Sequence, residues 1–199
     1  MTDANAGRTT LVASPIAVPP INWLNLVWVA LALGAMLAAI VSAHLWALNF
    51  LHVGCGLLWT GIDLFMGFVI GPILRRASFE ARREVMTRLT PQTMFLLPTL
   101  AIITGTTGWY LARETGYLAL DYPQLWWIIA ALAIVTLLTV LGLGVLLPTQ
   151  VRIYLELSKP EPDRARIARL ANGYFTLVAM QGVMQLVMTA IMTRMRVGL

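Results

Sequence analysis

Residues 49–74 read NFLHVGCGLLWTGIDLFMGFVIGPIL, a run with one acid, Asp63, and no lysine or arginine. A helix of this length, at about 1.5 Å per residue, crosses the ~30 Å of hydrocarbon in a bilayer. The run shows none of the period-two alternation of a barrel strand, so it reads as helix. Four further apolar blocks accompany it, at about residues 21–45, 91–112, 124–147 and 173–193. The whole chain of 199 residues agrees, being 59% apolar or aromatic and only 12% charged, with a mean hydropathy of +0.78. A soluble domain carries roughly 25% charged residues. The expectation is an all-α polytopic membrane bundle of five transmembrane helices, with residues 1–20 as a polar, proline-rich tail and 21–199 as one transmembrane domain. A soluble enzyme, a disordered chain and a nucleic-acid binder are excluded.

The basic residues give the orientation. Five arginines (Arg75, Arg76, Arg82, Arg83, Arg88) lie between the second and third blocks, and Arg152, Lys159, Arg164, Arg166 and Arg169 lie between the fourth and fifth. With Arg8 they place eleven of the fourteen basic residues on one side, against Arg113, Arg194 and Arg196 on the other. The positive-inside rule then sets the N-terminus in the cytoplasm and the C-terminus outside, in the cell inner (plasma) membrane. Trp46, Trp109, Trp126, Trp127, Tyr110, Tyr117 and Tyr122 all fall at the outer ends, as an aromatic belt does. The net charge of +5 and pI of 10.0 therefore meet anionic lipid; other membrane subunits are expected as further partners, and nucleic acid is not. Val41-Ser42-Ala43 has the pattern of a signal-peptidase site, but the first block is long for a signal sequence and its n-region weakly charged, so a retained helix is expected. Residues 158–173, SKPEPDRARIARLANG, suggest a turn and a short basic amphipathic helix on the inner leaflet, or an ordinary basic loop.

Chemistry concentrates in the second block. His52, Cys55 or Gly56, Trp59, Asp63, Met66 and Ile70 recur at steps of three and four and share one face. From His52 to Asp63 a helix returns to nearly the same azimuth about 16 Å deeper. A charged carboxylate at mid-membrane costs several kcal/mol, so Asp63 is expected to be neutral or paired and to face the bundle. It reads as a proton-relay or cation-site acid, or as a packing acid bonded to a neighbouring Thr or Gln. His52, about one turn inside the outer interface, is a candidate ligand for haem iron or copper. His44 is either a belt residue or a second ligand, and the single cysteine, Cys55, permits no disulfide or thiolate cluster.

Met180, Met184, Met188 and Met192 recur every fourth residue in the last block, beside Gln181 and Gln185. Thioethers ligate copper and haem, but methionine is also a packing residue. Arg113, Arg194 and Arg196 are candidates for pairing with haem propionates or with lipid headgroups. Gly67 with Gly71, Gly105 with Gly108, and Gly142 with Gly144 make small surfaces where helices approach closely. Pro98 frees a carbonyl within the third block.

The run LHVGCGLLWTG (51–61), followed by GPILRR (71–76) and PTLAIITGTTGW (98–109), resembles the superfamily of the copper-resistance protein D membrane domain and the HemJ-type protoporphyrinogen oxidases. The resemblance covers about Leu51 to Trp109. It implies haem binding at His52, as in the HemJ branch, or copper uptake, as in the other. HemJ-type proteins carry a lysine within a membrane helix, whereas the only lysine here, Lys159, falls in an inner loop. Where they carry an arginine and a histidine after the matching tryptophan, this chain has Asp63, Phe65 and Met66. Protoporphyrinogen oxidation is therefore not expected, while a haem b pocket around His52 is.

The leading expectation is a membrane electron-transfer protein with haem b on His52. Trp59 would pack against the macrocycle, and Met188, Met192 or His44 would be second-ligand candidates. Alternatives are copper binding or transport through His52, Cys55 and the methionines, and a structural or assembly subunit without cofactor.

Overall fold

The structure, a computed structural model, describes residues 22–197, so the expected tail at 1–20 lies outside the described residues. The described residues form five long helices, α1 (Asn25–Val41), α2 (Leu45–Arg76), α3 (Phe79–Glu114), α4 (Leu125–Leu157) and α5 (Arg164–Val197), with a short 3-10 turn at Tyr117–Ala119. No strand occurs among the described residues. Helices α2 to α5 are long and apolar enough to cross a membrane, while α1 is apolar but has 17 residues.

Short connections make successive helices antiparallel. At the arginine-rich end, Ser78 caps α3 by accepting from the Ala81 amide at 3.2 Å, and the Arg82 side chain donates to the Leu74 and Arg75 carbonyls at 2.9 and 3.1 Å. One basic residue thus satisfies carbonyls that the end of α2 leaves without intrahelical donors. The α4–α5 connection is held similarly, since the buried Glu156 carboxylate accepts from Lys159 at 2.8 Å and from the Asp163 amide at 3.3 Å. At the opposite, aromatic end, the Tyr117 hydroxyl donates to the Met195 carbonyl at 3.3 Å.

Several boundaries differ from the sequence expectation. Helix α3 begins at Phe79 rather than near Pro91, and its 36 residues span about 54 Å. Residues 164–172 are the first turns of α5, not a separate surface helix. Hydropathy locates the hydrocarbon, whereas the helix continues through EARREVMTRL because Glu, Ala, Arg, Met and Leu are good helix formers.

Two helices change pitch at mid-length. In α2 residues Met66–Ile70, and in α4 residues Val140–Leu146, form π-helical segments. Each ends just before a proline, Pro72 and Pro148. Proline has no N–H for the carbonyl four residues earlier and collides with it, and a local widening of the helix relieves the collision.

Close approach of α2 and α5 rests on small residues. A Cβ on Gly67 would lie 2.5–2.7 Å from the Ala179 backbone and Cβ, and one on Gly71 would lie 2.8 Å from the Phe175 Cβ. Gly182 answers from α5, where a Cβ would sit 2.9 Å from Leu64. The spacing of Gly67 and Gly71 thus becomes the seam that fixes the register of α2 on α5.

Candidate functional site

Asp63 sits on this seam, one turn before Gly67, and is fully buried, with 0% of its surface exposed. Its Oδ2 accepts from Gln181 Nε2 at 2.8 Å and from Gln185 Nε2 at 3.0 Å, both on α5. The Trp59 indole, one turn earlier on α2, bears on the same carboxyl. The glutamines are four apart, so they form one ledge on a helix otherwise lined by Val178, Gly182 and Met184. Asp63 Oδ1, Gln181 Oε1 and Gln185 Oε1 are buried without a hydrogen-bond partner in the protein. Buried polar atoms are nearly always satisfied, so three unpartnered oxygens around one carboxyl mark this as an unusual place.

A second polar group lies toward the basic end. Gln150 of α4 is buried and donates through Nε2 to the Tyr174 hydroxyl of α5 and to Thr93 Oγ1 of α3 at 3.3 Å. Between the two groups lies a cavity of about 20 Å3, lined by Trp59, Leu97, Gly142, Gln150 and Gln181. Such a volume has room for about one water molecule. Gly142, in the π segment of α4, is what leaves the Gln181 oxygen uncovered: a Cβ there would stand 3.6 Å from Oε1.

His52 occupies a different seam. It is half-buried, with Nδ1 2.8 Å from the Thr104 carbonyl of α3, so Nδ1 carries the hydrogen and donates. Gly108 makes the space, because a Cβ on it would come within 2.6 Å of the imidazole. This arrangement leaves the Nε2 lone pair available, the usual state of an imidazole that binds a metal.

The residues around His52 do not accommodate a macrocycle between the helices. The space beside Gly56 is taken by Thr104, whose methyl lies 3.3 Å from where a Gly56 Cβ would be, and the space at Gly108 is taken by His52 itself. Trp59 is buried against Leu97, Leu100 and Leu138 rather than beside an open slot. His44 is exposed and caps α2, its Nδ1 accepting from the Ala47 amide at 3.4 Å, with its ring edge-on to Trp46. One continuous helix separates it from His52. Met188 and Met192 are half-buried on the C-terminal half of α5, and Cys55 packs against the Trp59 cluster. Arg113 pairs with Glu114 at 2.8 Å and lies over the Tyr110 ring, while Arg194 is exposed near the end of α5. Among the described residues no three His, Cys, Asp or Glu side chains converge as a metal-ligand group.

The structure therefore joins Asp63 to Gln181 and Gln185, and His52 to Thr104. Gln150, Tyr174 and Thr93 escaped the sequence reading, although an uncharged amide in an otherwise apolar helix was a usable signal for Gln150. Compared with family models, with curated proteins and with solved structures, the chain matches none.

Proposed function

We propose that the protein is a five-span subunit of the plasma membrane, N-terminus cytoplasmic and C-terminus outside, in which Asp63 takes up and releases a proton within a larger redox or transport complex. The carrying observation is the fully buried carboxyl held by two amide donors with one oxygen left unpartnered. The amides favour the charged form and the apolar bundle favours the neutral one, and opposed effects of this kind suit a group that changes protonation. An acid inside a membrane bundle is by default a functional residue. Orientation is supported by the eleven of fourteen basic residues on one side.

The test is infrared spectroscopy of the reconstituted full-length protein. A carboxylic C=O band that rises and falls with pH, and is missing in Asp63→Asn, is expected. A band that does not respond between acid and alkaline pH would overturn the reading.

A second reading, haem b on His52 for electron transfer, is favoured by the Nδ1–H donation to Thr104, which presents Nε2 as a ligand atom. The filled seam requires the macrocycle to lie outside it, against a partner subunit. Two of the three motifs that carry the resemblance to the copper-resistance D and HemJ-type superfamily meet at this contact, His52 from the first and Thr104 and Gly108 from the third. Purification with a Soret band that is lost in His52→Ala would favour this reading over copper binding and over a cofactor-free assembly role.

A further inference from the structure

The unpartnered oxygens around Asp63 call for more than a proton. Asp63, Gln181 and Gln185 are 0%, 2% and 4% exposed, and each contributes one buried oxygen with no donor. A proton on Oδ1 can be donated to only one of the two glutamine oxygens, so the other still has no donor. We propose that Asp63, Gln181 and Gln185 form a binding site for a monovalent cation, sodium, which replaces the proton on Asp63. This rests on the reading of Asp63 as the functional acid and names what the site takes.

The chemistry is a balanced exchange: one proton leaves the carboxyl for water as one sodium ion binds, so the net charge of the site does not change. A hard cation takes several oxygen ligands at once, and membrane sodium sites use oxygens at places where helices depart from regular pitch. Asp63, Gln181 and Gln185 carry the oxygens for such a site, and two helices depart from regular pitch beside them. The π segment of α2 begins at Met66, three residues after Asp63, and the π segment of α4 places Gly142 against Gln181 Oε1.

The amides can supply their oxygens without moving the helices. The last torsion of a glutamine is broad and two-fold, so half a turn exchanges Nε2 and Oε1. Each oxygen would then stand where its nitrogen now does, 2.8 and 3.0 Å from Asp63 Oδ2, spacings at which oxygens share a cation. In the structure the nitrogens face a carboxylate; with a cation between them, the oxygens would. The neighbouring cavity of about 20 Å3 has room for one water molecule as a further oxygen ligand, and oxygens as close together as these suit sodium over the larger potassium.

The groups facing Asp63 are few. Helix α5 presents Gln181 and Gln185, with Tyr174 the titratable group on which its charge acts, α2 presents Trp59, and α3 and α4 face the adjoining cavity with Leu97, Gly142 and Gln150. No ion pair reaches the carboxyl among the described residues, so sodium competes with the proton alone.

The experiment is thermal unfolding of the purified full-length protein in sodium, potassium or choline chloride at matched ionic strength. Sodium at ten times its dissociation constant should raise Tm by about 4 °C over choline at alkaline pH. The gain should shrink at acid pH, where protons compete, and vanish in Asp63→Asn. Sodium should also bleach the carboxylic C=O band at fixed pH, a readout independent of unfolding. Equal Tm in sodium and choline, or a sodium gain kept by Asp63→Asn, overturns the site, and potassium matching sodium overturns its assignment to sodium. A C=O band that titrates with pH but ignores sodium removes this inference and leaves the proton reading intact. A band that does neither removes both.

Discussion

His52 and Asp63 share one face of α2, eleven residues apart, and each is tied to a different neighbour, His52 to α3 and Asp63 to α5. At His52 the ring itself is matched, and the Thr104 hydroxyl beside it is the one buried side-chain group of the contact without a partner. One ring N–H meets one carbonyl, a glycine makes the room, and a single lone pair remains. At Asp63 two donors converge on one oxygen while three oxygens go without. A satisfied polar contact specifies how two helices meet; an unsatisfied one is retained at a cost to stability, which points to function. The seam beneath Asp63 also brings backbone against backbone, Ala179 against Gly67, whereas at the other a side chain, His52, is seated on Gly108.

The difference can be broken most severely at the α2–α5 seam. Gly67→Leu must displace the Ala179 backbone, which is 2.5 Å from the would-be Cβ. Helix backbones yield less readily than side chains, so a loss of about 4 kcal/mol or more is expected, beyond the usual range for overpacking. Unfolding in detergent measures it. Stability near wild type would mean that α5 is held elsewhere.

Gly108→Ala attacks the His52 seam, and here a side chain can give way. The imidazole must leave a position 2.6 Å from the new methyl, and a cost of about 2 kcal/mol is expected. His52→Ala alone should cost about 1 kcal/mol for its hydrogen bond, plus what its packing contributes. Combined, the two should cost less than their sum by about 1–2 kcal/mol, because the second methyl enters space the ring has left. Strict additivity in this cycle would separate Gly108 from His52 and undo the comparison on that side.

The two regions were unequally legible in the sequence. The face shared by His52 and Asp63 follows from helical spacing alone, and a glutamine partner for Asp63 was one of its open readings. The small pair Gly67 and Gly71 announced a close approach without naming α5. Thr104 could not be foreseen as the partner of His52, since a backbone carbonyl leaves no mark in composition and the contact spans 52 residues. Gly56 shows the same limit: a glycine opens space on its own helix, but the neighbouring helix, here through Thr104, decides what fills it. The extra turns of α3 and α5 were hidden because hydropathy ends where the hydrocarbon does, while helix propensity does not.

The smallest expected change is that of Asp63→Asn, and its sign is informative. Asp63→Ala would leave the Gln181 and Gln185 amide groups without an acceptor in a buried site, at about 2–3 kcal/mol. Asp63→Asn behaves differently. Its oxygen still accepts from one glutamine, and its new NH2 group donates to a glutamine oxygen that has no partner in the wild type. It also removes the burial of a charge. The variant should therefore be as stable as the wild type or more so, by up to about 1 kcal/mol, while losing the proton and sodium responses. Opposite movement of stability and function is what separates a site from a brace, and His52→Ala, which lowers stability, supplies the contrast. If Asp63→Asn unfolds as readily as Asp63→Ala, the charge itself holds α2 to α5, and the distinction between the two seams disappears.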